Sequence, residues 1–518
     1  MVNHFKQALL DKQFVVTCEL IPGRGANAPA QQQTLETGLE LWQTGRVHAI
    51  SITDNPGGRP ALLADSFAAD FLAAGATPLV HTTCKDRNRN AVQSQLYAMQ
   101  RAGIENVLVM TGDYPTAGWK GRARPVFDLD PVQLLKMIDD ANAGMQYAGI
   151  KGNLYDEKAE FFAGCVVSPF KWTEAETLTQ YNKLKKKLVA GAKYVITQVG
   201  YDARKMQELL WWLQDANMDV PVIANVYLTS LGTGRIMKRG GIPGCFVSDE
   251  LLSILEKEAK SADKGFSMRL QRAAQTIAIA KGLGYAGVHI GGIGLNAEVL
   301  NTVLDMSDEL ADSWRELAAG LQFGRRKSFY VYESDGNGLN VRNFSPRTEV
   351  DNSRAVQKGY GLSRFFHKLV LTRDRGFYGV LKGVMDRRER KRGKHRTHNL
   401  EHLGKTMLYG CLDCGDCGLE TTIYSCPMTA CAKCQRNGPC GGSTDGWCEV
   451  YPGERFCIYY KAYHRLKKYG ELHKLGDFIA PPNNWDYFET SGWSNYTHER
   501  DNAANRQFLD DKTESGQD

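Results

Sequence analysis

Nine of the thirteen cysteines in this 518-residue chain lie between Cys411 and Cys457. They are spaced Cys411-x2-Cys414-x2-Cys417-x8-Cys426-Pro, then Cys431-x2-Cys434-x5-Cys440-x7-Cys448-x8-Cys457. Thiolates at such intervals converge on metal. The first run suits the three-plus-one ligation of a [4Fe–4S] cluster. The Cys-x2-Cys pairs equally suit one or two tetrahedral zinc ions. Spacing leaves both open, and all nine cysteines are candidate ligands. Gly415, Gly418, Gly438, Gly441 and Gly442 suit tight turns that carry backbone N–H groups toward sulfur. Disulfides are the third chemistry, and they belong to oxidising compartments. The opening MVNHFKQALLDKQF has no basic stretch followed by an apolar one. No signal peptide is expected, and the cytoplasm is the expected location.

A second set of reactive side chains stands where apolar runs end. The runs are 14–20 (FVVTCEL), 47–53, 77–84, 106–112, 161–168, 194–200, 221–228 and 284–292. At or just after their ends come Glu19, Asp54, His81 with Thr83, Asp113, Ser168, Gln198, Tyr227 and His289. Carboxylates, imidazoles and an amide gathered in one place can bind a polar ligand and move protons. Simpler roles compete. Asp54 and Asp113 suit helix caps, Glu19 a rim salt bridge, and His289 a hydrogen-bonded core position.

The elements that would gather these residues can be read from periodicity. The runs are near-continuously apolar, as in strands buried on both faces. Helical patterns over 61–74, 90–102, 131–148, 174–190 and 251–281 separate them. Gly75, Gly103, Gly149 and Gly191 supply stops. Eight strands alternating with helices predict an α/β fold, a (β/α)8 TIM barrel, whose chemistry sits at the C-terminal ends of its strands. A doubly wound sheet is the competitor. It usually shows a Gly-rich phosphate turn after its first strand, and ELIPGRG is not one. Apolar content of 42% and charged content of 24% fit a soluble globular chain. No apolar run is long enough to span a bilayer. The net charge of +6 is concentrated in the run 386–396, read as a solvated interdomain segment. No recognition-helix pattern accompanies it, so nucleic acid is not an expected partner.

Four blocks carry a family resemblance. They are CELIP (18–22), PLVHTTCKD (78–86), NVLVMTGDYP (106–115) and AGAKYVITQ (190–198). In this order and spacing they resemble methylenetetrahydrofolate reductases. The resemblance implies a flavoprotein, with FAD or FMN reduced by NAD(P)H or another reductant. It would reduce 5,10-methylenetetrahydrofolate to 5-methyltetrahydrofolate. It implies Glu19 as catalytic acid with a raised pKa, Asp113 as a second catalytic residue facing the pterin and lying near the flavin, and Gln198 as a pterin ligand. His81, Thr83, Thr111, Gly112 and Asp113 would line the flavin, with Lys186 and Lys187 near its phosphates. The chain departs from the family at CVVSPFKW (165–172), where a flavin-holding histidine is replaced. It departs again at HIGGIGLN (289–296), which lacks an aromatic near the substrate. The cysteine region, with its strings NGPCGG and GWCEV, resembles a C-terminal domain found with these reductases and implies a link to an electron-transfer partner protein. The expected organisation is a flavin- and folate-binding barrel over 1–325, a connecting segment over 326–404, a cysteine-rich metal-binding α+β module over 405–470 and a polar tail over 471–518. A homo-oligomer is expected. The alternatives are a pterin-dependent methyltransferase and a metal-binding partner subunit of a reductase complex.

Overall fold

The computed structural model describes residues 2–149, 152–373, 376–393 and 399–509. Its centre is a closed barrel of eight parallel strands. They are β1 (Val15–Leu20), β2 (Ala49–Ile52), β3 (Pro78–Thr83), β4 (Asn106–Met110), β5 (Phe162–Val167), β6 (Val195–Thr197), β7 (Val222–Tyr227) and β8 (Gly287–Gly291). Each strand pairs with its sequence neighbours, and β1 closes the ring on β8 through the register Thr17↔His289. All eight lie inside the apolar runs that predicted them.

Side chains alternate along a strand, so one parity faces the barrel axis. Val15, Ala49, Leu79, Leu108, Phe162, Ile196 and Ile223 fill the lower interior, sealed by Phe5 of the helix His4–Leu10. Two residues further along five of these strands come Thr17, Ser51, His81, Gln198 and Asn225. The polar layer of the barrel is thus set by register with its apolar floor. The other parity packs outward against the helices in a larger apolar core.

Two predicted helices differ. The pattern over 131–148 stops at Ala143, where Gly144 adopts φ +90°, and residues 146–155 contain an antiparallel hairpin instead. The pattern over 251–281 is two helices, Asp249–Glu258 and Phe266–Leu283. Lys264 and Gly265, both at positive φ, separate them. The run 386–396 is only partly described, since 394–396 lie outside the described residues. Its first half ends the helix Tyr378–Arg392 and is anchored: Glu389 accepts from both terminal nitrogens of Arg500.

The segment 471–518 departs from the tail expected of it, because through residue 509 it packs around the first cysteine run. Asn495 donates to Gly415 O at 3.0 Å. Asn502 gives Asp416 Oδ1 two hydrogen bonds, of 2.7 and 2.8 Å, and Asn484 N reaches Asp416 Oδ2 at 2.9 Å. The cysteine loops have little apolar surface to bury. Their exposed peptide groups are satisfied by amide side chains, so a polar composition belongs to a packed segment.

Candidate functional site

Glu19 sits one residue before the end of β1, facing the barrel axis. Its Oε2 lies 3.3 Å from His289 Nε2, and His289 Nδ1 lies 2.8 Å from Thr17 Oγ1. With the threonine hydroxyl donating to Nδ1, Nε2 carries hydrogen and donates to the carboxylate. His81 Nε2 is 2.8 Å from Ser51 Oγ, and its ring centroid is 6.2 Å from that of His289. Ligand atoms of Glu19, His81 and His289 all lie within 4.8 Å of one another. Burial raises the Glu19 pKa, but the His289 hydrogen bond and the two imidazoles outweigh it, leaving the carboxyl below its usual range. The raised pKa expected of Glu19 is therefore not what this arrangement produces. Burial pushes His81 down to about 4, partly opposed by Glu19, so it is neutral at physiological pH.

The other mouth residues are engaged by neighbouring loops. Asp113 accepts from Gly57 N at 2.7 Å, tying the loop after β4 to the loop after β2. Asp54 accepts from Thr83 Oγ1 at 2.7 Å and from Arg87 at 2.9 and 3.3 Å. Gln198 donates to Pro243 O at 3.2 Å and accepts from Val199 N.

The residues expected to line flavin do not form an open cradle. Thr111 is one position out of phase with the inward-facing Met110 and lies 3.4 Å from Gln435 of the cysteine region. Gly112 O accepts from Lys433 Nζ at 2.8 Å. Gly112 has φ +81°, and a Cβ there would meet Lys85 at 2.7 Å and Thr83 at 2.9 Å. Lys187 Nζ donates to Val166 O at 2.5 Å. Lys186 lies over the Phe478 ring, 5.2 Å from its centroid. Burial lowers both lysines to about 8. Neither ammonium is open to a phosphate in this arrangement, since Lys187 is engaged by barrel backbone and Lys186 lies against Phe478. Flavin in the pose implied by these positions does not fit this arrangement.

The covering contact joins Asp130 and Lys183 of the barrel to residues 435–438. Asp130 caps the helix Pro131–Ala143 through Oδ1. Its Oδ2 accepts from Arg436 N, Asn437 N and Asn437 Nδ2 at 3.1, 2.8 and 3.0 Å. Lys183 Nζ donates to Gln435 Oε1 and Gly438 O. Gly438 has φ +135°, and a Cβ there would stand 2.6 Å from Lys183. The NGPCGG string is thus the surface that meets the barrel. An aspartate before a proline signals a cap, but nothing in the sequence reveals its second partner.

Electrostatic neighbourhoods divide the cysteines. Cys411, Cys414 and Cys417 each act on one another or on Cys426, and the first three line a small open pocket with Lys405 and Glu401. Cys431, Cys440, Cys448 and Cys457 form the second group. The bridge Trp447↔Phe456 brings Cys448 and Cys457 together. Cys434 borders Cys426. Burial raises the thiol pKa at Cys411, Cys417, Cys431, Cys440 and Cys457. At each, the amide of the residue two positions on (Asp413, Leu419, Lys433, Gly442 and Tyr459) opposes it. A repeated N–H aimed at sulfur is the surrounding that a metal-bound thiolate uses.

Residues 4–306, more than half of the chain, match the family model described as methylenetetrahydrofolate reductase. The chain belongs to the methylenetetrahydrofolate reductase family. Residues 391–486 match a second model, described as methylene-tetrahydrofolate reductase C terminal. Methylenetetrahydrofolate reductase 2 of Saccharomyces cerevisiae is 27% identical over 193 residues, 36% of this chain and 29% of that relative. The match thus spans under a third of the curated relative's length. Among solved structures, an uncharacterized Clostridium thermocellum protein that binds 5-methyl-5,6,7,8-tetrahydrofolic acid aligns over 60% of this chain and 99% of its own. The identity is 14% and the TM-score 0.41. M. tuberculosis tryptophan synthase aligns over 59% of this chain and 95% of its own, at 14% identity and a TM-score of 0.32. Among the described residues, no helix is long and apolar enough to cross a membrane.

Proposed function

We propose that this chain reduces 5,10-methylenetetrahydrofolate to 5-methyltetrahydrofolate. The observation that carries the reading is the Glu19–His289 pair at the barrel mouth, 3.3 Å apart, in a member of this family. Opening the substrate's five-membered ring breaks the bond from the methylene carbon to N10, which takes up one proton and leaves an iminium on N5. Glu19 takes that proton from solvent and delivers it to N10 from Oε2, while His289 keeps its own Nε2 hydrogen and donates it to the carboxylate left behind. The carboxylate that remains stabilises the cationic iminium beside it. The iminium carbon then accepts a hydride and becomes the methyl group, while a reduced donor such as NAD(P)H loses two electrons. Asp113 and Gln198 present a carboxylate and an amide to the amino-pyrimidinone edge of the pterin.

The cysteine region holds metal in two groups. Cys411, Cys414, Cys417 and Cys426 hold one centre, and Cys431, Cys440, Cys448 and Cys457 the other, with Cys434 outside both. The Cys411-x2-Cys414-x2-Cys417 run with the remote Cys426-Pro supports an iron–sulfur cluster at the first centre, which supplies one-electron transfer, and four thiolates at the second suit the same chemistry or zinc.

Glu19→Gln keeps the shape of the carboxyl and removes its proton chemistry. It lowers kcat by about 100-fold or more while leaving the dissociation constant for the substrate within a few fold. Full turnover by this variant overturns the mechanism. The covered flavin face favours a second reading, pterin-dependent methyl transfer. Consumption of a reduced nicotinamide in step with 5-methyltetrahydrofolate formation excludes it.

A further inference from the structure

An open cavity lies beside the mouth, between the loops after β5, β6 and β7 and the cysteine region. Trp172, Phe246, Phe323, Lys238, Gly244 and Arg325 are among the residues that line it. Gly244 connects it to the mouth, since a Cβ there would stand 3.4 Å from Gln198 Nε2. Arg325 is its distinctive member. The guanidinium carbon lies 4.3 Å from the Trp172 ring centroid and 4.7 Å from that of Phe246. Arg325 is thus clamped between two aromatic faces. Its loop is fixed from both sides. Ser328 donates to Arg325 O through its amide and its hydroxyl, at 3.1 and 2.7 Å, and Phe329 N donates to Trp172 O at 2.8 Å.

A clamped guanidinium ordinarily completes itself with a carboxylate. Here, among the described residues, Arg325 makes no ion pair and no side-chain hydrogen bond. The carboxylates that face it, Asp445 and Glu176, stand beyond ion-pair reach, and Glu176 already caps a helix and accepts from Gly446 N. The neighbouring cations are differently placed. Lys171 donates to two backbone carbonyls, Gly441 O and Ser443 O. Lys205 is paired with Glu208 at 2.9 Å. A planar fork held flat by aromatic rings, with its donors unused, is suited to a bidentate oxyanion.

We propose that Arg325 binds a carboxylate of the glutamyl end of a folate whose pterin lies at the barrel mouth, with the aromatic walls of the cavity lying along the benzoyl ring. The proposal rests on the folate reading of the mouth. The same oxyanion chemistry could come from the phosphate of a dinucleotide donor, so the test separates the two. Calorimetric titration of the full chain compares unmodified protein, Arg325→Ala and Arg325→Lys. The three probes are 5-methyltetrahydrofolate, a 5-methyltetrahydropterin lacking the benzoylglutamate, and NADPH. Arg325→Ala weakens folate binding about tenfold and leaves the truncated pterin and NADPH within twofold. Arg325→Lys, which keeps the charge but not the fork, loses less. Circular dichroism shows that both variants are folded. Unchanged folate binding by Arg325→Ala overturns the proposal alone, and a loss confined to NADPH overturns the glutamate assignment in favour of phosphate. Failure of the unmodified chain to bind any pterin overturns the reading of the mouth as well, a result distinct from the other two.

Discussion

His81 is buried and neutral because no carboxylate contacts it closely enough to outweigh desolvation. Its folded pKa of about 4 lies below the ordinary 6.5. Between those values the unfolded chain binds more protons than the folded one, so stability falls as pH drops from 6.5 toward 4. The difference amounts to about 3 kcal/mol. Glu19 acts in the same direction lower down, since its depressed pKa adds stability that is lost below its ordinary 4.5. Melting temperatures measured from pH 7 to pH 4 should therefore decline, and His81→Gln should flatten the upper part of that decline. An equal slope in the variant would mean that His81 is not the buried neutral group. At this scale the sequence was legible where a polar residue ends an apolar strand, as with Glu19 and His81. Thr17 and Ser51 carry no such signal. They lie inside strands, and only the shared inward parity of 17, 19, 51, 81 and 289 shows that they meet the histidines. The family resemblance put Lys186 and Lys187 near phosphates, but the Phe478 ring that lies against Lys186 comes from far along the chain.

Strands and helices come from local periodicity, which is why all eight strands fall within the apolar runs that predicted them. The misjudged elements are those whose ends depend on backbone sign. Gly144 and the Lys264–Gly265 pair stop helices whose apolar spacing continues past them. The helix Pro131–Ala143 shows how a local device acquires a distant role. Asp130 uses one oxygen for the cap and the other for residues 436 and 437. Asp130→Ala should cost about 1 kcal/mol for the cap and a further 2–3 kcal/mol for the stranded donors. Denaturant titration should give that loss, and limited proteolysis should cut the 431–442 region faster. Asp130→Asn, which retains acceptor oxygen for one role only, should fall between. Unaltered proteolysis in Asp130→Ala would mean that the contact does not hold the cysteine region.

Across the whole molecule, the cysteine region is a cover on the barrel rather than an appendage to it. Metal analysis and a visible spectrum of anaerobically purified protein should find two centres. Cys411→Ser should remove one centre and leave the other, Cys440→Ser should remove the other, and Cys434→Ser should leave both. Flavin absorption should be absent or far below one per chain, because the face that would take its phosphate is occupied. One flavin per chain together with both centres would show that the cover opens. The candidate ligands were legible from cysteine spacing. Their division into groups was not, because the second group is assembled by a bridge between residues 447 and 456 that spacing does not encode.

Asp130 and its partner Arg436 are 306 positions apart, which bears on how the protein is made. A chain synthesised from its N-terminus completes the eight strands well before residues 436–438 exist. Until then Asp130 and Lys183 face water, and the side of the barrel above them stays open. The last fifth of the chain closes that side. A molecule that sits beneath the cover enters either before that closure or by an opening of it.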